Sequence, residues 1–111
     1  MYKMTLLFQI PENIADFEEK WSQNFIPLAE EMPGLQRITV SHIEGEPNGK
    51  SKYYKIHEFQ FANKPSLDRA LNSEQGVQAG QALMKFASNI TTILFSESFE
   101  EIRSNNDLDK P

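Results

Sequence analysis

The stretch Phe25-Ile26-Pro27-Leu28-Ala29-Glu30-Glu31-Met32-Pro33-Gly34-Leu35 decides the fold. Its first half belongs to a run in which Ile14, Phe17, Trp21, Phe25, Leu28 and Met32 recur at gaps of three and four. That is the spacing of one helix face packed on apolar surroundings. Asn13 is placed to cap this helix, and Asp16 puts a carboxylate in its first turn, where the helix dipole favours it. Pro27 falls inside the stripe and has no N–H to give to the carbonyl of Gln23, which predicts a kink or a break. Pro33 then stops the helix, and Gly34 supplies the turn into a strand.

Working outward, residues 2–10 alternate, with Tyr2, Met4, Leu6, Phe8 and Ile10 on one side and Lys3, Thr5, Leu7 and Gln9 on the other. This is the period of a half-buried strand, closed by Pro11. Downstream, residues 35–43 read as a second strand, with Ile38, Val40 and His42 sharing a face. The turn-rich segment Glu44 to Lys50 joins it as a hairpin to an aromatic third strand at about 52–61. Pro65 opens a helical region carrying Leu67, Ala70 and Leu71. Ser73 can recap it, so that Val77, Gly80, Leu83, Met84 and Ala87 continue as a second segment. Residues 89–98 are rich in β-branched and aromatic side chains and read as a fourth strand.

The order βαββαβ predicts an α+β, ferredoxin-like domain over residues 1–98, one antiparallel sheet with both helices on one face, followed by a polar C-terminal tail at 99–111. Helices on one side leave the other side of the sheet open. Leu7 and Leu94 point to that side, so it is partly apolar, and a homodimer closed through the open sheet faces is expected.

The totals narrow the function classes. A chain of 111 residues is one domain. A formal net charge of −5 with scattered basic residues excludes nucleic acid as a partner, because counterion displacement needs clustered Lys and Arg. The absence of cysteine removes disulfides, thiolate metal sites and Cys nucleophiles. The N-terminal run is too short and too polar for a signal peptide or a membrane span, so a soluble, cytoplasmic protein is expected.

Laid out this way, the chain resembles the EthD-like family of dimeric α/β-barrel proteins. The features that carry the resemblance are Ile26-Pro27-Leu28-Ala29, Met32-Pro33-Gly34-Leu35, Tyr53-Tyr54-Lys55-Ile56 with Glu58-Phe59 and Phe61, and Ser73-Glu74-Gln75-Gly76. They stand in order across almost all of residues 2–98. The resemblance implies the ferredoxin-like fold, a dimer closing into an α/β barrel, and a cleft between helices and sheet in each subunit. It also implies relatives that include cofactor-free monooxygenases and lactone isomerases. One departure matters: the family often carries His two residues before the proline of a His-x-Pro-Leu motif, and here that position is Phe25.

Among candidate residues, His57 stands out. It shares a strand face with Phe59 and Phe61, which places it beneath the long helix near Phe25. A buried imidazole shifts toward the neutral form and could act as a base; the alternative is a core imidazole bonded to an oxygen. Trp21, Phe25, Tyr53 and Phe59 are the expected ligand-lining residues, offering aromatic surface with an indole or hydroxyl donor. With a hairpin centred near Pro47-Asn48, His42 faces Tyr53 or Tyr54 and His57 pairs near Ile38. The two imidazoles are then about 13 Å apart, too far to share a metal. No metal and no cofactor are expected. Arg37 and Glu58 are placed to pair across the sheet. Gly76 and Gly80 permit close backbone approach, to the sheet or to a ligand.

The function this supports is a cofactor-independent enzyme acting on a small hydrophobic or aromatic compound, with His57 as base. The rivals are a non-enzymatic ligand-binding protein using the same cleft, or a scaffold dimer with a filled core. An open volume of some hundreds of cubic ångströms separates the first two from the third.

Overall fold

The computed structural model describes residues 1–103. β1 (Tyr2–Gln9) leads through a capped turn into α1 (Ile14–Lys20), where the Asn13 side chain accepts from the Asp16 N–H. The proline in the helical stripe produces neither a simple kink nor a clean break. Trp21–Phe25 widens into a π-helical turn in which the Ile26 N–H reaches back to the Trp21 carbonyl, five residues away. A fresh α-helical turn, α2 (Ile26–Ala29), then starts with Pro27 near its N-terminus, where a missing N–H costs nothing. Ser22 Oγ donates to the Glu18 carbonyl at 2.7 Å, helping to satisfy the backbone where the turn opens.

Met32 is buried just beyond α2, and Gly34, at φ +80, makes the turn toward β2 (Arg37–His42). β3 (Tyr53–Phe61) pairs with both β2 and β1. Asn63 caps α3 (Lys64–Asn72), and Ser73 caps α4 (Glu74–Ala87) by accepting from the Gly76 N–H. β4 (Thr91–Glu97) closes the sheet. The strand order is β2-β3-β1-β4 with every pair antiparallel, the ferredoxin-like arrangement expected from the sequence.

Alternation sorts the side chains. Met4, Leu6 and Phe8 of β1, with His57, Phe59 and Phe61 of β3, are buried beneath Phe17, Phe25, Ala29, Leu67, Ala70, Ala79 and Leu83 of the helices. By the same register Lys3, Thr5, Leu7, Ile56, Glu58, Thr92 and Leu94 share the opposite face. There Lys3 pairs with Glu58 at 3.4 Å, so the expected Arg37–Glu58 pair does not form: Glu58 stands opposite Thr5 and Thr39, and Arg37 lies opposite Gln60. Phe99 and Ile102 are exposed after β4, and residues 104–111 of the tail lie outside the described residues.

The β2–β3 register differs by two residues from the symmetric hairpin. Glu46 bridges Gly49 at the tip, yet His42 pairs with Lys55 and His57 with Val40. The offset arises beyond the tip, where the chain crosses toward β1 and the Lys52 carbonyl accepts from the Ile10 N–H at 3.0 Å.

Candidate functional site

β3 supplies the floor of the site. Its alternation sends Lys55, His57, Phe59 and Phe61 toward the helices, and both Lys55 and His57 are fully buried. The π-helical turn supplies the roof by bringing Trp21 and Phe25 over His57, with ring centroids 5.5 and 5.9 Å from the imidazole. Phe59 lies alongside His57 at 4.2 Å and a tilt of 32°, and Phe25 meets Phe59 edge-on at 6.2 Å. Four of the five residues singled out from the sequence therefore come together, with Trp21, Phe25 and Phe59 each against His57.

Tyr53 does not join them. A bulge against Phe8 and Gln9 skips Tyr54 in the β1–β3 ladder, so Tyr53 pairs with Gln9 and shares its face, away from Phe8 and the helices. Its ring contacts the Lys52 ammonium, 5.1 Å away. The extra residue, Tyr54, packs edge-on against Phe17 at 5.7 Å instead. His42 is exposed and near Tyr54, with centroids 6.5 Å apart. Among the described residues no three His, Cys, Asp or Glu side chains converge as a metal set.

His57 carries the main chemical information. Trp21 Nε1 donates to its Nδ1 at 3.3 Å. An indole N–H can only donate, so Nδ1 must accept, and the proton of the neutral ring sits on Nε2. That Nε2 is buried and has no hydrogen-bond partner among the described residues. Burial first, and then the nearby positive charge of Lys55, push the His57 pKa down to about 4, so the ring is neutral at physiological pH. The free nitrogen is thus a donor. The expected base role does not fit this arrangement, because the one lone pair available for a proton faces the Trp21 N–H.

Behind Trp21 lies a group that sequence reasoning missed. Lys55 Nζ meets Glu18 Oε2 at 2.6 Å and sits 3.3 Å from the centroid of the Trp21 ring. Phe17 and Tyr54 also present their rings to it, each at 5.5 Å. Burial and then the Glu18 carboxylate raise the Tyr54 phenol pKa. The signal for Lys55 was present, since it shares the alternation of His57 and Phe59.

The open space lies elsewhere. An apolar cavity of about 90 Å³ sits between helices and sheet, lined by Met4, Leu6, Phe25, Met32, Leu83 and Ile93 among others. It is far smaller than the expected cleft, because Phe25 and Met32 fill the space beneath the π-helical turn and α2. The cavity shares Gly80, Leu83 and Ile93 with a wide surface groove of about 690 Å³ between α4 and β4. The cavity and the groove therefore adjoin on the α4–β4 side. A Cβ on Gly80 would meet nothing within 4 Å, whereas one on Gly76 would collide with the Ala70 carbonyl. Of the two glycines, Gly76 serves close packing and Gly80 borders the groove. From the cavity, Phe25 is the ring that stands before His57, and Leu6 is its cross-strand partner.

These features define a ferredoxin-like α+β protein with a buried neutral histidine behind a small apolar cavity. No family model matches the chain. It is 32% identical to an ethyl tert-butyl ether D (EthD) family protein from Bacillus halodurans, whose crystal structure superposes with a TM-score of 0.86 over 89% of this chain and 99% of that one. The chain belongs to the EthD family. It is also 26% identical over 97 residues to an uncharacterised 11.0 kDa protein from the thcB–thcC intergenic region of Rhodococcus erythropolis, covering 87% of this chain and 94% of that protein. At 13% identity each, two other solved structures share the fold alone. One is SnoaB, a cofactor-independent oxygenase from Streptomyces nogalater (TM-score 0.68, covering 93% and 97%). The other is a dimeric protein of unknown function from Bacteroides fragilis (TM-score 0.62, covering 87% and 95%). No helix among the described residues is long and apolar enough to cross a membrane.

Proposed function

We propose that the chain is a homodimeric EthD-family protein that takes a small hydrophobic or aromatic compound through the α4–β4 groove and acts on it without a cofactor. His57 supplies the polar contact. The observation that carries this reading is the buried His57 Nε2, without a partner among the described residues, on a ring that meets Phe25, which in turn lines an apolar cavity beside the α4–β4 groove. An unmade hydrogen bond on a buried donor costs about 1–3 kcal/mol, and a ligand oxygen placed there recovers it. For a ligand to arrive, the Phe25 side chain must turn aside, joining the cavity to the imidazole.

A neutral imidazole N–H on a carbonyl oxygen stabilises negative charge developing there and acidifies the adjacent carbon, whose proton passes to a water molecule because the apolar lining supplies no base. That first step is common to isomerisation and to cofactor-free oxygenation, and the shared fold with a cofactor-independent oxygenase supports it. The homodimer covers the open sheet face, where Leu7, Ile56 and Leu94 lie, and a dimeric protein of the same fold supports that assembly.

The test is a screen of small aromatic ketones and lactones by ligand-observed NMR and turnover, with Gly80→Phe and His57→Ala beside wild type. Gly80→Phe fills the groove without a backbone clash and abolishes binding while the fold is kept. His57→Ala keeps the fold and loses turnover; unchanged turnover in that variant sinks the reading. Sedimentation at micromolar concentration returns the dimer mass, and a monomer there removes the assembly.

A second reading is a binding protein without chemistry. It is favoured by Phe25 at the position where the family resemblance places a histidine, and by the small volume that Phe25 leaves. A ligand that binds and is recovered unaltered from every member of the panel selects it.

A further inference from the structure

We propose that Glu18, Lys55 and Trp21 are positioning residues that act in series to hold His57 as a fixed Nε2–H donor, so that the ligand of this site presents an uncharged acceptor oxygen. The ligand clause rests on the functional reading above; the arrangement of the four side chains does not.

The series is continuous in space. Glu18 Oε2 holds Lys55 Nζ at 2.6 Å, Lys55 lies 3.3 Å from the Trp21 ring centroid, and Trp21 Nε1 donates to His57 Nδ1 at 3.3 Å. Each link has a direction. A cation over an indole draws electron density toward its face and leaves the N–H more polar, so Lys55 strengthens the donation that fixes the tautomer. The same charge opposes a second proton on the ring. Glu18 limits that effect by neutralising Lys55, and it is the only member with a substantially exposed side chain.

Among the described residues, the neighbours on the adjoining strands and the π-helical turn are uncharged. Leu6 of β1 and Val40 of β2 flank His57 across the ladders, the π-helical turn offers Trp21 and Phe25, and β3 itself adds Phe59. Lys55, with Glu18 behind it, is therefore the charged pair that the imidazole feels. A lysine whose role was only structural could be any apolar side chain, and burying an ion pair is costly compared with that alternative. Its placement on the ring that donates to His57 is what a positioning role requires.

This arrangement selects among ligands. A carboxylic acid or a phenolate would gain little from a neutral donor in an apolar pocket after losing its hydration. A protonated amine would set donor against donor. A ketone, ester or lactone carbonyl on an apolar frame satisfies the lone N–H and pays no charge desolvation.

The experiment uses full-length protein labelled with ¹⁵N at histidine. The chain has two histidines, so His42→Gln assigns His57. In wild type, His57 shows a single neutral tautomer, with Nδ1 unprotonated and Nε2 carrying hydrogen. Trp21→Phe removes the N–H, and the two nitrogens move toward the averaged shifts of exchanging tautomers. Lys55→Met raises the pH at which His57 titrates, whereas Glu18→Gln lowers it, because the first removes a positive charge and the second unmasks one. A general loosening of the fold would let in water and raise both. Shifts of the same sign in the two variants, or a wild-type tautomer with hydrogen on Nδ1, overturn the proposal.

Acetophenone and ethylbenzene, near-isosteres that differ by the carbonyl, test the ligand clause on the same protein. About tenfold tighter binding of acetophenone, with a shift at His57 Nε2, is expected. Equal affinities overturn the clause. Absence of binding by either probe or by the ketone and lactone panel counts against the cleft reading, while the tautomer data still decide the series.

Discussion

The two ends of the space between helices and sheet are built by opposite means. At the β2–β3 end, a lysine, a glutamate, a histidine and an indole pack against one another and among aromatic rings. At the α4–β4 end, small and flexible side chains around Gly80, Leu83 and Ile93 leave a groove and an inner cavity. Phe25 touches both: it stands edge-on to His57 and lines the cavity. Polar groups at the closed end keep one geometry because each is held by a directional partner. The open end is specified by what is missing, and it can receive something from outside.

Titrating the closed end gives the largest contrast. In the unfolded chain His57 takes a proton near pH 6.5, and in the fold only near pH 4. Above 6.5 both states are neutral and the residue adds no pH dependence. As pH falls from 6.5 to 4 the unfolded chain binds a proton that the folded chain refuses, so stability drops through that window and levels off below it. At about 1.4 kcal/mol for each pH unit the loss is about 3 kcal/mol. Urea melts of wild type and His57→Phe across this range check it: the difference between the two curves carries the slope, and parallel curves break the account.

Next in size is the asymmetry of the buried pair. Lys55 is fully buried, whereas the Glu18 side chain is 37% exposed. Glu18→Ala leaves a buried ammonium without its carboxylate and costs about 2 kcal/mol, below the roughly 3–5 kcal/mol of a fully buried pair because water reaches Glu18. Lys55→Met removes the buried charge, returns Glu18 to solvent and costs less than 1 kcal/mol. Denaturant midpoints of the two variants measure this directly. Equal losses would mean that the pair acts through packing alone.

The fold was legible because its elements obey simple periods. The stripe from Phe17 to Met32, the turn at Gly34 and the alternation of residues 2–9 and 55–61 each required one local rule, whereas the helix ends at Ala29, short of Pro33, and Ile14 and Ile10 stay exposed. The site was legible only in part. His57, Phe59, Trp21 and Phe25 fall together because their faces follow from the same periods. Tyr53 and Tyr54 exchange faces because of a bulge set by how β1 ends, which the local pattern of β3 does not encode. Lys55 lay on the buried face by alternation, but a lysine is buried only when paired. Its partner Glu18 comes one residue after Phe17 of the helical stripe, on an element 37 positions away in sequence. The π-helical turn was foreshadowed by Pro27 as an irregularity, without its form. A kink, a break and a widened turn all remove the same hydrogen bond.

The smallest expected effect, at Gly80, is read against its neighbour Gly76 on α4 and sharpens the contrast between packed and open ends. Gly76 and Gly80 are one helical turn apart and look alike in sequence. Around Gly80 an added Cβ meets nothing, so Gly80→Ala only removes backbone freedom from the unfolded chain and stabilises by about 0.5–1 kcal/mol. At Gly76 the same methyl collides with the Ala70 carbonyl where α3 turns into α4, and Gly76→Ala costs about 1–3 kcal/mol. Thermal melts should therefore move in opposite directions, upward by a few degrees for Gly80→Ala and downward for Gly76→Ala. A helix under no demand from the groove would not keep glycine at Gly80, because alanine is the better helix former there. If Gly80→Ala is stabilising and yet weakens binding of acetophenone, the glycine is held for access. If it stabilises and leaves binding untouched, the groove is not the way in, and ligands must reach Phe25 from another side.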